Sequence, residues 1–177
     1  VPVAHVEAGL RSFNMRMPEE VNRILTDRIS RWLFTPTDTA TGNLLREGVA
    51  AEQITQVGDV MYDVALHHGA LVSESGGVFE RLGLAPSSYI LATIHRAENT
   101  DDPQRLTAIV DALSAASRQH PVVWPLHPRT RNILARLGLM ERAQAALHLI
   151  DPVGYLDMVQ LEKYALLIAT DSGGVQK

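Results

Sequence analysis

An α/β fold with parallel sheets is what this sequence predicts, and three observations lead to it. Short apolar runs rich in Val, Ile and Leu alternate with helical patterns along the chain. The runs are mostly continuous in their apolarity, as in strands covered on both faces. Polar clusters follow several of them directly, and in doubly wound α/β domains ligands bind beyond the carboxyl ends of the strands.

The first run, residues 3–6, leads into His5-Val6-Glu7. Pro18 suits the first position of the next helix, with Glu19 and Glu20 in its first turn, where negative charge is favoured. Val21, Ile24, Leu25 and Ile29 share one apolar stripe, the expected core face, and Glu19, Asn22, Arg23 and Thr26 share the polar one. Further strands are expected at 33–35 and 54–57. Ser, Gly and Pro clusters between about 62 and 88, around one helical stretch, mark a domain connection. A strand at 89–94 ends in Thr93-Ile94-His95-Arg96. Asp102 can cap a helix opened by Pro103, whose core face is Leu106, Ile109, Val110 and Leu113. After a strand at 122–126, Pro128 opens a helix that Gly138 ends. Strands at 147–150 and 166–170 complete the series, the last running into Asp171-Ser172-Gly173-Gly174.

Length and composition bound the function. A chain of 177 residues can hold one sizeable core or parts of two domains. With 16 Lys+Arg against 20 Asp+Glu the net charge is −4, which argues against nucleic acid or anionic lipid as a partner. The absence of cysteine excludes thiolate metal sites and disulfides and agrees with a cytoplasmic protein. No apolar run approaches the ~18 residues of a membrane span. Val1 opens inside a strand pattern and the chain stops in a Gly-containing turn, so it reads as an internal piece of a longer one.

The chemistry concentrates at strand ends. Glycines let backbone N–H groups approach a phosphate, so Ser172, Gly173 and Gly174 suit a phosphate-binding turn; a tight turn capped by Asp171 or Ser172 is the bland alternative. His95 and His127 can move a proton or steady a leaving phosphate, or can simply bond a neighbouring loop. Arg129 suits anion recognition, or an ordinary ion pair. Glu7 ends a strand and Glu19 opens a helix. Returned to one cleft, two carboxylates can share acid and base duties, with Arg11 and Arg16 holding them or the substrate anion. His5 and Glu7 also face one way on a strand, but no ligand spacing supports a metal, and none is expected.

In order along the chain, "HVEAGLRS", "MPEEVNR", "GDVMYD", "ATIHRAEN", "HPRT", "DPVGYLDM" and "TDSGGVQK" closely resemble the non-hydrolysing UDP-N-acetylglucosamine 2-epimerase family, over about the middle half of a member. The resemblance implies two Rossmann-like domains of the nucleotide-sugar glycosyltransferase (GT-B) type, both incomplete here. Residues 1–62 would close the first, 63–85 connect, and 86–177 open the second, UDP-binding one. It implies an isomerase that interconverts UDP-N-acetylglucosamine and UDP-N-acetylmannosamine by eliminating and re-adding UDP, without metal or organic cofactor. The setting would be surface-polysaccharide synthesis in the cytoplasm, in a homodimer.

Position by position, the resemblance makes Glu7, Glu19 and His95 catalytic, with Glu7 and His95 also binding substrate. Ser172, Gly173 and Gly174 would hold the diphosphate, and Val153 and Met158 the uridine side. His127 would mark a regulatory substrate site, with Arg129 beside it. Further site residues are expected before Val1 and after Lys177, and the 177-residue chain alone is expected to be inactive. A hydrolysing epimerase that releases free N-acetylmannosamine, and a nucleotide-sugar-binding module without turnover, are the alternatives.

Overall fold

The computed structural model describes residues 1–176. It divides into two units, Val1–Val64 and Ala65–Lys177. In the first, β1 (Ala4–Val6), α1 (Pro18–Ile29), β2 (Trp32–Thr35), α2 (Asp38–Arg46) and β3 (Ile54–Gln56) alternate, and α3 (Val60–Leu71) carries the chain across the division. The sheet runs β1-β2-β3 and is parallel throughout, with His5 opposite Leu33 and Leu33 opposite Ile54. Parallel neighbours need a crossover, and α1 and α2 supply it.

Leu33 of β2 and Leu44 of α2 bury together with Ala8, and Val49 and Ile54 pack on them. Gly9 is what lets the turn after β1 sit against α2. Its φ is +78°, and a Cβ there would lie 2.3 Å from the Ala40 carbonyl oxygen.

The expected core face of α1 is not the buried one. Leu25 is 57% and Ile29 71% exposed, whereas Glu20 and Asp27, two turns apart on the helix, are buried. Both carboxylates accept backbone N–H groups from the segment after β1. Charge-assisted bonds to otherwise unpaired backbone donors set the rotation of the helix, against its apolar stripe.

The second unit contains α4 (Val78–Leu82), β4 (Ile90–Thr93), α5 (Ala97–Thr100), α6 (Pro103–Ala116), β5 (Val122–Pro125), α7 (Pro128–Arg136), α8 (Met140–Ala146), β6 (His148–Ile150), α9 (Tyr155–Lys163) and β7 (Leu167–Thr170). Its sheet is parallel in the order β6-β5-β4-β7. The chain therefore works outward from β4 in one direction and then returns to β4's other side, the doubly wound order, with its switch point between β4 and β7.

Alternate residues of the central strands feed two cores. Ile90, Ala92, Val122 and Trp124 pack on the face covered by Leu106 and Val110 of α6 and Leu134 of α7. Tyr89, Leu91 and Val123 point the other way, onto Val78 and Phe79 of α4 and Leu161 of α9. Both faces are covered, which is why these strands read as unbroken apolar runs. Asp102 caps α6 as its sequence suggests, accepting from the N–H groups of Gln104 (2.9 Å) and Arg105 (3.2 Å). The Gly- and Ser-rich stretch before β4 is fastened to α9: the Gln160 amide donates to the Ser73 carbonyl (2.9 Å) and accepts from the Val78 N–H (3.4 Å). Among the described residues, no helix is long and apolar enough to cross a membrane.

Candidate functional site

Each unit carries a cavity at the carboxyl end of its sheet. In the first unit the cavity measures about 390 Å³, and His5, Glu7, Glu19, Asn22, Arg23 and Thr26 line it. The polar stripe of α1 is one wall, and the end of β1 is the other. Glu7 and Glu19 thus share one space. Glu7 is also held in the left-handed region at φ +66°. A non-glycine residue there costs about 1 kcal/mol or more, and such strain collects at functional positions. It is held in place on its far side by the Ala8 N–H, which donates to the Phe34 carbonyl at 3.0 Å.

Beneath this cavity lie two buried carboxylates that sequence reasoning did not single out. Glu20 accepts from the Ser12 N–H (2.9 Å) and the Phe13 N–H (2.9 Å), which closes the loop between β1 and α1. Burial pushes its carboxyl up, but those N–H bonds and nearby Arg23 outweigh burial, and the group is held below the ordinary glutamate value. Asp27 takes three partners: His5 Nδ1 at 2.6 Å, the Gly9 N–H at 3.2 Å and an Arg11 guanidinium nitrogen at 2.7 Å. Their common face, two turns apart on α1, is the one trace they leave in the sequence, and spacing alone does not tell an inward carboxylate from a solvated one.

Arg11 serves the fold and is not free to grip a substrate anion. Its guanidinium is 2% exposed and also forks onto Glu47 through Nε at 2.7 Å and a second nitrogen at 2.8 Å. The bond to Glu47, supported by Asp27, holds its proton more tightly than in a free arginine despite burial. The same bond draws the Glu47 carboxyl down. Arg16 sits on the exposed loop, and neither arginine lines the cavity.

The second cavity, about 270 Å³, lies beyond the carboxyl ends of β4, β5, β6 and β7. Thr93, His95, His127, Val153, Met158 and Ser172 are among its walls. Asp171 organises its rim, accepting from the N–H groups of His95 (3.1 Å) and Arg96 (3.0 Å) and from the Asn99 amide (3.0 Å). Burial raises this carboxyl, and those bonds reverse the effect, leaving it below the usual aspartate range. His95 keeps a half-exposed ring whose Nε2 is 3.9 Å from Asp171. The Ser172 N–H is tied to Thr170 Oγ1 at 2.9 Å, and Gly173 and Gly174 follow, exposed, in a turn.

His127 has a structural duty as well. Its Nδ1 accepts from the Arg129 N–H at 3.2 Å and caps α7, so a neutral ring carries its proton on Nε2. Arg129 is paired with Asp101 at 2.6 Å and is not among the cavity's walls.

The family model described as UDP-N-acetylglucosamine 2-epimerase matches residues 1–177. A UDP-2,3-diacetamido-2,3-dideoxy-D-glucuronate 2-epimerase of Pseudomonas aeruginosa is 55% identical over 180 residues, covering 100% of this chain and 48% of its own length. A UDP-N-acetylglucosamine 2-epimerase of Methanocaldococcus jannaschii is 43% identical over 183 residues, covering 100% of this chain and 50% of its own. The solved structure of the Methanocaldococcus jannaschii UDP-GlcNAc 2-epimerase in complex with UDP-GlcNAc and UDP matches with a TM-score of 0.88 at 43% identity, over 99% of this chain and 49% of that one. The chain spans about half the length of the curated relatives it matches.

Proposed function

The chain belongs to the UDP-N-acetylglucosamine 2-epimerase family, and from that premise we propose that the protein carrying it inverts C2 of a UDP-linked 2-acetamido sugar. No carbonyl lies next to that carbon to acidify its proton, so removal of the proton is coupled to loss of UDP. A carboxylate takes the C2 proton, the C1–O bond breaks with its electron pair leaving on the diphosphate, and a C1=C2 double bond forms. Re-addition of UDP, with a proton delivered to the opposite face of C2, gives the epimer.

In this reading Glu7 and Glu19 exchange the protons. His95 and the turn of Ser172, Gly173 and Gly174 steady the departing diphosphate, where negative charge develops. Val153 and Met158 take the uridine side. The reaction calls on no metal or organic cofactor. The observation that carries the reading is the single cavity shared by Glu7 and Glu19, with Glu7 in a strained backbone. UDP-N-acetylglucosamine, converted to UDP-N-acetylmannosamine, is the first substrate reading. The 55% identity to the Pseudomonas aeruginosa protein favours a second, the 2,3-diacetamido uronate that protein is named for.

The test is incubation of a full-length protein carrying this chain with each sugar in D2O, followed by proton NMR. A UDP-linked C2 epimer bearing deuterium at C2 is expected from one of them. Free amino sugar as the main product would assign a hydrolysing epimerase instead. Tight binding without turnover would assign a sensor.

A further inference from the structure

Resting on the epimerase reading, we propose that His5 and Asp27 form an imidazole–carboxylate pair that carries protons to and from the Glu7 side of the first cavity. The Asp27 side chain is 1% exposed and its Oδ1 lies 2.6 Å from His5 Nδ1. An ionised carboxylate only accepts, so Nδ1 holds the hydrogen and the neutral ring keeps Nε2 as its acceptor. Among the described residues the ring's one hydrogen bond is to Asp27, and His5 lines the cavity with Glu7 and Glu19. The other Asp27 oxygen is held by Arg11 at 2.7 Å and by the Gly9 N–H at 3.2 Å, so the carboxylate cannot swing away. Asp27 is therefore a positioning residue, and His5 is the group that moves the proton.

The reaction supplies a need for such a carrier. The carboxylate that removes the C2 proton ends a turnover protonated, and the one that delivers a proton ends it ionised. Another turnover in the same direction requires both to be reset. For Glu7, the reset is transfer from its O–H to His5 Nε2: one O–H bond breaks and one N–H bond forms. The imidazolium then gives the proton to water, and while charged it is stabilised by the facing Asp27 carboxylate. The opposite reset runs the same steps backwards. No electron changes hands.

The full-length protein with His5→Asn separates this from a purely structural role. The asparagine amide nitrogen stands where Nδ1 stood and keeps donating to Asp27, and nothing replaces Nε2. The first turnover, followed in single-turnover NMR or quench experiments, should run at the wild-type rate, and kcat/KM should be unchanged because only the step after the chemistry is slowed. Steady-state turnover should fall by about a hundredfold, the usual scale for losing a positioned proton carrier, and added imidazole should restore part of it. His5→Gln, which loses the Asp27 bond, is the second variant and should show the same split between first and later turnovers. Steady-state turnover at the wild-type rate, or a first turnover slowed as much as the later ones, would overturn the proposal while leaving the epimerase reading intact. A wild-type protein that epimerises neither sugar would overturn both.

Discussion

Replacing Glu20 tests whether the first cavity's loop is built on a buried carboxylate. Glu20 is 1% exposed and receives the N–H groups of Ser12 and Phe13, each at 2.9 Å from an oxygen. A bond to a charged acceptor contributes about 1.5–3 kcal/mol net. Ser12 and Phe13 are themselves exposed, so water recovers part of that loss. Glu20→Ala should then cost about 3 kcal/mol, and Glu20→Gln, which keeps one acceptor, about half as much. In urea, at a slope of about 1–1.5 kcal/mol/M for a unit of this size, the alanine variant's midpoint should drop by about 2 M. Hydrogen exchange of peptides from residues 4–35 would follow this unit separately from the other.

The pH dependence has a definite sign. The folded Glu20 carboxyl titrates below its ordinary value, and an unfolded glutamate titrates near ~4.3. Between the two the unfolded chain binds more protons, so stability rises with pH in that window. The carboxylate's contribution is complete above the unfolded value and is lost as pH falls through the folded one. Wild type and Glu20→Ala should therefore converge in acid. A midpoint shift under about 0.3 M, or a gap that widens on acidification, would refute this account of the loop.

Arg11→Met should destabilise the first unit by about 3–5 kcal/mol, because it strands the buried Asp27 and the partly buried Glu47 carboxylates; Arg16→Ala, on the exposed loop, should stay within about 0.5 kcal/mol in the same unfolding assay. Gly9→Ala should leave little soluble protein, since its Cβ would meet the Ala40 carbonyl oxygen at 2.3 Å with φ at +78°. Asp171→Asn should speed amide exchange at His95 and Arg96 about tenfold, the equivalent of one hydrogen bond. Their protection in wild type should likewise weaken as pH falls through the depressed Asp171 value.

The strands were legible because each central residue of β4 and β5 packs on one core or the other, leaving no polar position to interrupt the run. The polar side of α1 was legible too, and Glu19, Asn22, Arg23 and Thr26 do line one cavity. What periodicity could not show was the inward turn of Glu20 and Asp27. Glu20 is held by backbone N–H groups of a loop, which leave no trace in side-chain pattern, and Asp27 by one such group together with His5 and Arg11, partners distant in sequence. Long-range pairing was equally silent. Arg129 looked free to meet an anion until Asp101 was found beside it, and Arg11 until Asp27 and Glu47 closed on it. The Asp171 carboxylate, read from sequence as a possible cap for its own turn, instead organises the loop after β4, a connection only the β4–β7 pairing makes.

The most direct measurement is turnover by the full-length protein with Glu7→Gln and with Glu19→Gln, read by proton NMR in D2O. Wild type should yield a UDP-linked sugar inverted and deuterated at C2. Each variant should lose at least about a hundredfold in kcat while still binding UDP. Normal rates in both variants, or inversion with the original C2 hydrogen retained, would contradict the assignment of proton transfer to these two carboxylates.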